Sequence, residues 1–119
     1  MKIVIAGSRG LQNREGEIRA RIASILSTLH IKPSEIVSGK AVGPDQIGET
    51  FARLFDIPIK EMPANWTVHG KAAGPIRNRQ MAEYTDIAIV FWDGTSAGSK
   101  NMIDEMSRVK KPCIVEIVK

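Results

Sequence analysis

The stretch Asp86-Ile87-Ala88-Ile89-Val90-Phe91-Trp92 carries no polar residue from Ile87 to Phe91. A strand with one wet face alternates apolar and polar positions, so an unbroken run of this length reads as a central parallel strand covered on both sides. Working outward, Lys2 to Ala6 (KIVIA), Ile36-Val37 and Cys113 to Val118 read as further strands. Pro58 to Met62 reads as a third strand in chain order; its Lys60 and Glu61 suit an edge position. Between the strands the apolar period changes to 3.6. Ile18, Ile22, Ile25, Leu26 and Leu29 mark one face of a helix from about Glu15 to His30. Pro44 at a first helical position starts a helix that turns Ile47, Phe51, Leu54 and Phe55 inward, and Met102, Ile103, Met106 and Val109 give the last helix its buried face. The order β-α-β-α-β-loop-α-β-α-β predicts an α/β domain spanning residues 1–119. Its five-stranded parallel sheet has the order 3-2-1-4-5, with helices on both faces and right-handed crossovers.

Composition bounds the function. The 119 residues, 43% hydrophobic and 25% charged, suit one globular domain. No apolar run is long enough to cross a bilayer, and the chain enters strand-like KIVIA directly, so a cytoplasmic protein with no membrane association is expected. The single cysteine, Cys113, excludes an internal disulfide framework and reads as a buried strand residue. A net charge of +4 raises nucleic acid as a partner, but the positive residues are dispersed and aromatic residues make up only 5%. Nucleic acid is therefore not the expected partner, and a small anionic ligand fits the charge equally well.

The strand-like runs end in clusters of Gly, Ser, Thr, Arg or Asn. Gly7-Ser8-Arg9-Gly10 follows the first, Ser38-Gly39-Lys40-Ala41-Val42-Gly43-Pro44-Asp45 the second, and Gly94-Thr95-Ser96-Ala97-Gly98-Ser99 the fourth. Gly74-Pro75-Ile76-Arg77-Asn78-Arg79 precedes a helix. In an open parallel sheet these ends line one edge, where ligands bind at the switch in strand order. Backbone N–H groups, hydroxyls and guanidinium groups gathered there predict a phosphorylated ligand. Two cations at a helix start oppose the dipole, and a phosphate held between Arg77, Arg79 and the helix N-terminus would offset that.

These residues also carry a resemblance. Gly7-Ser8-Arg9, Val37-Ser38-Gly39 with Gly43 and Asp45, Pro63-Ala64-Asn65-Trp66, Gly70-Lys71-Ala72-Ala73-Gly74-Pro75-Ile76-Arg77-Asn78-Arg79-Gln80-Met81 and Phe91-Trp92-Asp93-Gly94-Thr95-Ser96-Ala97-Gly98 resemble the YspA-like branch of the SLOG superfamily, from Met1 to about Val118. The resemblance implies a Rossmann-like fold, a nucleotide or nucleotide-derived ligand such as an ADP-ribose-type molecule, and a homo-oligomer. The superfamily also holds the LOG phosphoribohydrolases and the DNA-processing protein DprA. Two departures stand out. Lys40 replaces a usual second glycine in the second loop, where its side chain either restricts close backbone approach or supplies a cation. Met102 stands where the LOG enzymes have their catalytic glutamate, whereas Arg77 falls at their catalytic arginine.

The candidate ligand-binding residues are thus Gly7, Ser8, Arg9, Ser38, Gly39, Gly43, Asp45, Trp66, Arg77, Asn78, Arg79, Asp93, Gly94, Thr95, Ser96, Gly98 and Ser99. Each has a duller reading: the glycines as turns, Asp45 as a dipole-favouring first-turn acid, and Thr95, Ser96 and Ser99 as helix caps. Trp66 closes over a base or sugar or packs, and the same choice holds for Trp92. No cofactor is implied, and His30 and His69 lack the partners of a metal site. A Ser38-His69-Asp93 triad has no nucleophile elbow to support it. Two functional classes remain. One is a binding module that senses or sequesters the ligand; the other is an N-glycosidic hydrolase or transferase in which Asp45, Asp93 or Glu83 replaces the glutamate.

Overall fold

The computed structural model describes residues 1–119. Strand β1 (Lys2–Gly7) leads through a 3-10 turn at Arg9–Arg14 into α1 (Glu15–Thr28). There follow β2 (Glu35–Ser38), α2 (Pro44–Leu54), β3 (Ile59–Glu61), the short α3 (Trp66–His69), α4 (Ala73–Tyr84), β4 (Ile87–Trp92), α5 (Ala97–Arg108) and β5 (Cys113–Ile117). All strand pairs are parallel and the order is β3-β2-β1-β4-β5, as the polar-free runs predict. No helix is long and apolar enough to cross a membrane.

Alternation along the strands builds two cores. Ile3 and Ile5 of β1, Ile36 of β2 and Ile87, Ile89 and Phe91 of β4 pack with Ile18 and Ile22 of α1 and Phe51 of α2. The intervening Val4, Ala6, Val37, Ala88 and Val90 pack with Met81 of α4 and Met102 and Met106 of α5. Each inner strand is therefore covered on both faces, the physical reason that its sequence shows no polar interruption. The edge strand β3 leaves Lys60 and Glu61 exposed.

Leu29, Leu54 and Phe55, expected on the buried faces of their helices, lie exposed at the ends of α1 and α2, and strand ends shift by a residue or so from the expectation. Helix α1 stops at Thr28, and His30 takes a left-handed φ of 54°, two residues short of the apolar pattern's apparent end. The loop expected between the third strand and the next helix, Pro63 to Gly74, is not irregular: it holds α3, whose N-cap Asn65 side chain accepts the Val68 N–H at 3.1 Å, and a 3-10 turn at Gly70–Ala72. It then enters α4 at Ala73. Gly74 and Pro75 sit inside the first turn, where a missing proline N–H forfeits no intrahelical bond. Arg77, Asn78 and Arg79 consequently lie in the second turn of α4 and not at its start.

In this strand order the chain leaves β1 toward β2 and leaves β4 toward β5. The loops diverge above the adjoining carboxyl ends of β1 and β4, and a crevice opens between them.

Candidate functional site

That crevice is a cavity of about 510 Å3, within the roughly 300–1,000 Å3 of small-molecule sites. Its wall takes Ala6, Gly7, Arg9 and Gly10 from β1 and the turn after it, and Ala41 and Asp45 from the β2–α2 connection. Trp66 of α3 and Gly74, Pro75, Arg77, Asn78 and Met81 of α4 form one side. Asp93, Ser96, Ala97, Gly98, Ser99, Asn101 and Met102 close the other.

Local structure explains why these groups converge. Helix α5 begins at Ala97 with Ser96 as N-cap, and no side chain caps it. The first-turn N–H groups have no intrahelical acceptor, so the positive end of the helix lies open at the cavity wall. Asp93 shapes the approach: its Oδ1 accepts the N–H of Thr95 at 2.9 Å and of Ser96 at 2.8 Å. These two bonds, led by the one from Thr95, hold its carboxyl below the usual aspartate range. Trp92 donates its indole N–H to the Ser96 carbonyl at 3.0 Å, so this tryptophan packs and braces the loop.

Arg77 is partly buried and fixed at two points. Its Nε donates to Asn78 Oδ1 at 2.9 Å and its Nη1 to the Gly39 carbonyl, which leaves Nη2 uncommitted. Burial lowers its pKa first of all; the Asp45 charge opposes that and the nearby Arg9 adds to it. Asn78 completes a tie between α4 and α5 by donating Nδ2 to Asn101 Oδ1 at 2.9 Å and to the Gly98 carbonyl at 3.3 Å. Opposite Arg77 stands Asp45, in the first turn of α2 and only 3% exposed. Burial pushes its carboxyl up to about 6, with Arg77 pulling in the other direction. Trp66 is 52% exposed, with its ring edge 3.4 Å from where a Cβ on Gly74 would sit.

Of the residues singled out in the sequence, Gly7, Arg9, Asp45, Trp66, Arg77, Asn78, Asp93, Ser96, Gly98 and Ser99 line this cavity. Others serve its frame. Ser8 is buried: its Oγ shares a hydrogen bond with Ser99 Oγ at 3.1 Å and accepts the Asp93 N–H at 3.1 Å, so it is a strut between the two loops. Ser38 donates to Glu49 Oε2 at 2.6 Å and accepts the Lys40 N–H at 3.1 Å. Gly39 offers its carbonyl to Arg77, and Gly43, at φ 98°, caps α2. Gly94, at φ 90°, and exposed Thr95 form the outer turn of the β4–α5 loop.

Arg79 requires a correction to the paired-arginine clamp. Two residues along a helix turn through about 200°, so Arg79 faces away from Arg77 and meets Glu83 at 3.5 Å on the exposed side of α4. Glu83 also pairs there with Arg108 at 3.1 Å and lies outside the cavity wall, as does His69. Lys40 adopts φ 60°, a conformation that glycine takes without strain, and its Nζ contacts Glu49 at 3.0 Å and Glu61 at 3.0 Å. Its cation is thereby committed to two carboxylates. Cys113 is half-buried and its thiol is pushed up to about 11 by burial, the state of an unreactive strand residue.

Sequence reasoning missed Met81 and Asn101. Helical spacing carries the signal for both: Met81 lies four residues after Arg77, and Asn101 three after Gly98, each on the face of its neighbour.

No family model matches this chain, and no solved structure matches it. It is similar to the Gene 61 protein of Mycobacterium phage D29, at 29% identity over 121 residues, covering 95% of this chain and 94% of that protein.

Proposed function

We propose that the cavity binds a nucleotide or nucleotide-derived phosphorylated ligand, of the ADP-ribose kind implied by the SLOG resemblance, and that the protein senses or sequesters it. One observation carries the reading. The uncapped start of α5, Arg9 and the uncommitted Nη2 of Arg77 all border one cavity at the switch point of the sheet. Oriented N–H groups and guanidinium donors recognise phosphate oxygens without rearrangement, and Arg77 is held in place before any ligand arrives. Beside these donors, half-exposed Trp66 offers the apolar surface that a base or sugar ring would cover.

The test is a thermal-shift titration against AMP, ADP-ribose and NAD, followed by chromatography of the recovered ligand. A stabilisation that grows with the logarithm of ligand concentration, with the ligand returned intact, is the expected result. Arg77→Ala is expected to weaken binding by about 10- to 100-fold, the range for one charge-assisted hydrogen-bonding group. Unchanged affinity would remove Arg77 from the site.

Gly39→Ala offers a second route to the same side chain. A Cβ there would lie 2.4 Å from Arg77 Nη1 and 2.8 Å from Asp45 Oδ2, both ends of flexible side chains and not backbone. The fold should accommodate it at about 1–3 kcal/mol, while the guanidinium swings off the Gly39 carbonyl. Binding is then expected to fall as in Arg77→Ala, in a protein that still folds cooperatively. A full-affinity Gly39→Ala protein would mean that the position of Arg77 does not matter.

A second reading, N-glycosidic hydrolysis, is favoured by one feature. Asp45 is a buried carboxyl on the cavity wall with its pKa raised to about 6, suited to acid or base work near neutral pH. Free base and a sugar phosphate in the chromatogram would support it, and an Asp45→Asn protein would then return the ligand intact.

A further inference from the structure

A buried carboxylate is out of place beside arginines and a helix N-terminus, because it repels the phosphate that those groups attract; Asp93, the other acid on the wall, is taken up by the Thr95 and Ser96 N–H groups. Asp45 is 3% exposed; its carboxylate accepts the Ala41 N–H at a long 3.4 Å and otherwise faces only the backbone N–H groups of Gly39 and of its own residue, with no side-chain donor bonded to it. Arg77 and Asp45 flank the same glycine, with Nη1 and Oδ2 at 2.4 and 2.8 Å from the position of a Cβ on Gly39. Even so, they do not close into an ion pair, because Nη1 is turned to the Gly39 carbonyl. An acceptor and a cationic donor thus stand side by side at the wall, each with unused capacity.

The group that fits between them carries no negative charge, donates to the carboxylate and accepts from the guanidinium. A hydroxyl does both through one atom, since it holds one donor and two lone pairs; a base edge needs two adjacent ring positions to do the same, which suits less well a carboxylate and a guanidinium flanking a single glycine. We propose that Asp45 is the acceptor for the sugar hydroxyls of the ligand, so that the site takes phosphorylated ribose compounds in preference to deoxyribose compounds or bare polyphosphates. This rests on the phosphorylated-ligand reading above. Asp45 then fixes the sugar while the start of α5 and Arg9 hold the phosphate, and the ligand enters in one orientation. A site built to hydrogen-bond a hydroxyl rejects an analogue that lacks it, because the buried carboxylate then keeps only its weak backbone contacts.

The deciding experiment is calorimetric titration at pH 8 with AMP and with 2′,3′-dideoxyadenosine 5′-monophosphate, on the parent protein, Asp45→Ala and Asp45→Asn. The parent is expected to bind AMP at least tenfold more tightly than the dideoxy compound. That preference should fall to within about twofold in Asp45→Ala and should shrink in Asp45→Asn, which keeps the side-chain shape if the alanine protein folds poorly. Equal affinity for both compounds in the parent would overturn the assignment and leave the phosphorylated-ligand reading standing. A preference that persists in both variants would do the same. Absence of binding by both compounds would overturn the assignment together with the reading beneath it.

Discussion

Gly7→Ala is expected to remove about 3 kcal/mol or more of folding stability and to lower the melting temperature by about 10–20 °C. Gly7 closes β1 directly beside β4, and a Cβ there would stand 2.2 Å from the Phe91 carbonyl oxygen and 2.7 Å from the Pro44 ring. Neither neighbour can move alone. The carbonyl accepts the Ser8 N–H at 2.9 Å, and Pro44 is the first residue of α2. Relief therefore means parting two central strands or lifting a helix off the sheet. A domain of this size holds about 5–15 kcal/mol in total, so the loss is a large share of it. Gly16→Ala is the natural control. No atom lies within 4 Å of the position its Cβ would take, and it sits in α1, where alanine is favoured by up to about 1 kcal/mol over glycine. Thermal melts followed by circular dichroism should therefore move in opposite directions for the two substitutions. A Gly7→Ala protein melting within a few degrees of the parent would show that the β1–β4 junction yields easily.

The same junction shows why the fold was legible in the sequence and the site only partly so. Strand order follows from which runs lack polar residues and which carry Lys60 and Glu61, and burial on two faces leaves that mark at every position of a strand. The location of the cavity follows in turn, because the switch point is a property of the order. Individual roles within it depend on rotation and partner choice, which spacing expresses weakly. Ser8 and Ser38 have the composition of a phosphate loop, yet each is held by protein partners: Ser99 and the Asp93 N–H for one, Glu49 and the Lys40 N–H for the other. Arg77 and Arg79 look like a pair only if a helix begins beside them. Once α4 starts at Ala73, its twist separates them, and the true neighbours of Arg77 are Gly39 and Asn78. Asp45 was visible as a first-turn acid, but its burial against Arg77 comes from the approach of α4 to the β2–α2 loop, a contact between segments about thirty residues apart that no local pattern encodes.

Asp45→Asn is expected to stabilise the protein at pH 8 by about 1–3 kcal/mol while weakening its ligand binding. The Asp45 carboxyl titrates at about 6 in the folded chain against an ordinary 3.8. The folded state thus holds this proton more tightly than the unfolded state. Stability from this group is greatest below the ordinary value, falls as pH rises through the interval to about 6, and stays lost above it. An interval of roughly two pH units corresponds to about 3 kcal/mol. Asparagine never ionises, so the variant escapes that loss and can still accept the Ala41 N–H. Part of the gain is returned, because Arg77 from α4 loses the one negative charge that offsets its own burial and the nearby Arg9. Glu49, on the far side of the same loop, acts with the opposite sign. Burial pushes its carboxyl up, but Ser38 and Lys40 together outweigh that and hold it below the ordinary 4.5, so its contribution is present above that value and is lost as pH falls. It is common to both proteins and cancels in their difference. Urea unfolding at pH 8 and at pH 4 should give a stability gap between variant and parent that is wide at the first pH and nearly closed at the second. A gap of the same size at both would mean that the carboxylate is not strained. A buried carboxyl that lines the cavity, with its pKa raised by burial and a cationic partner beside it, has the physical character by which working groups are recognised, and the pH dependence of Asp45→Asn is what separates strain of that kind from a merely structural offset to Arg77.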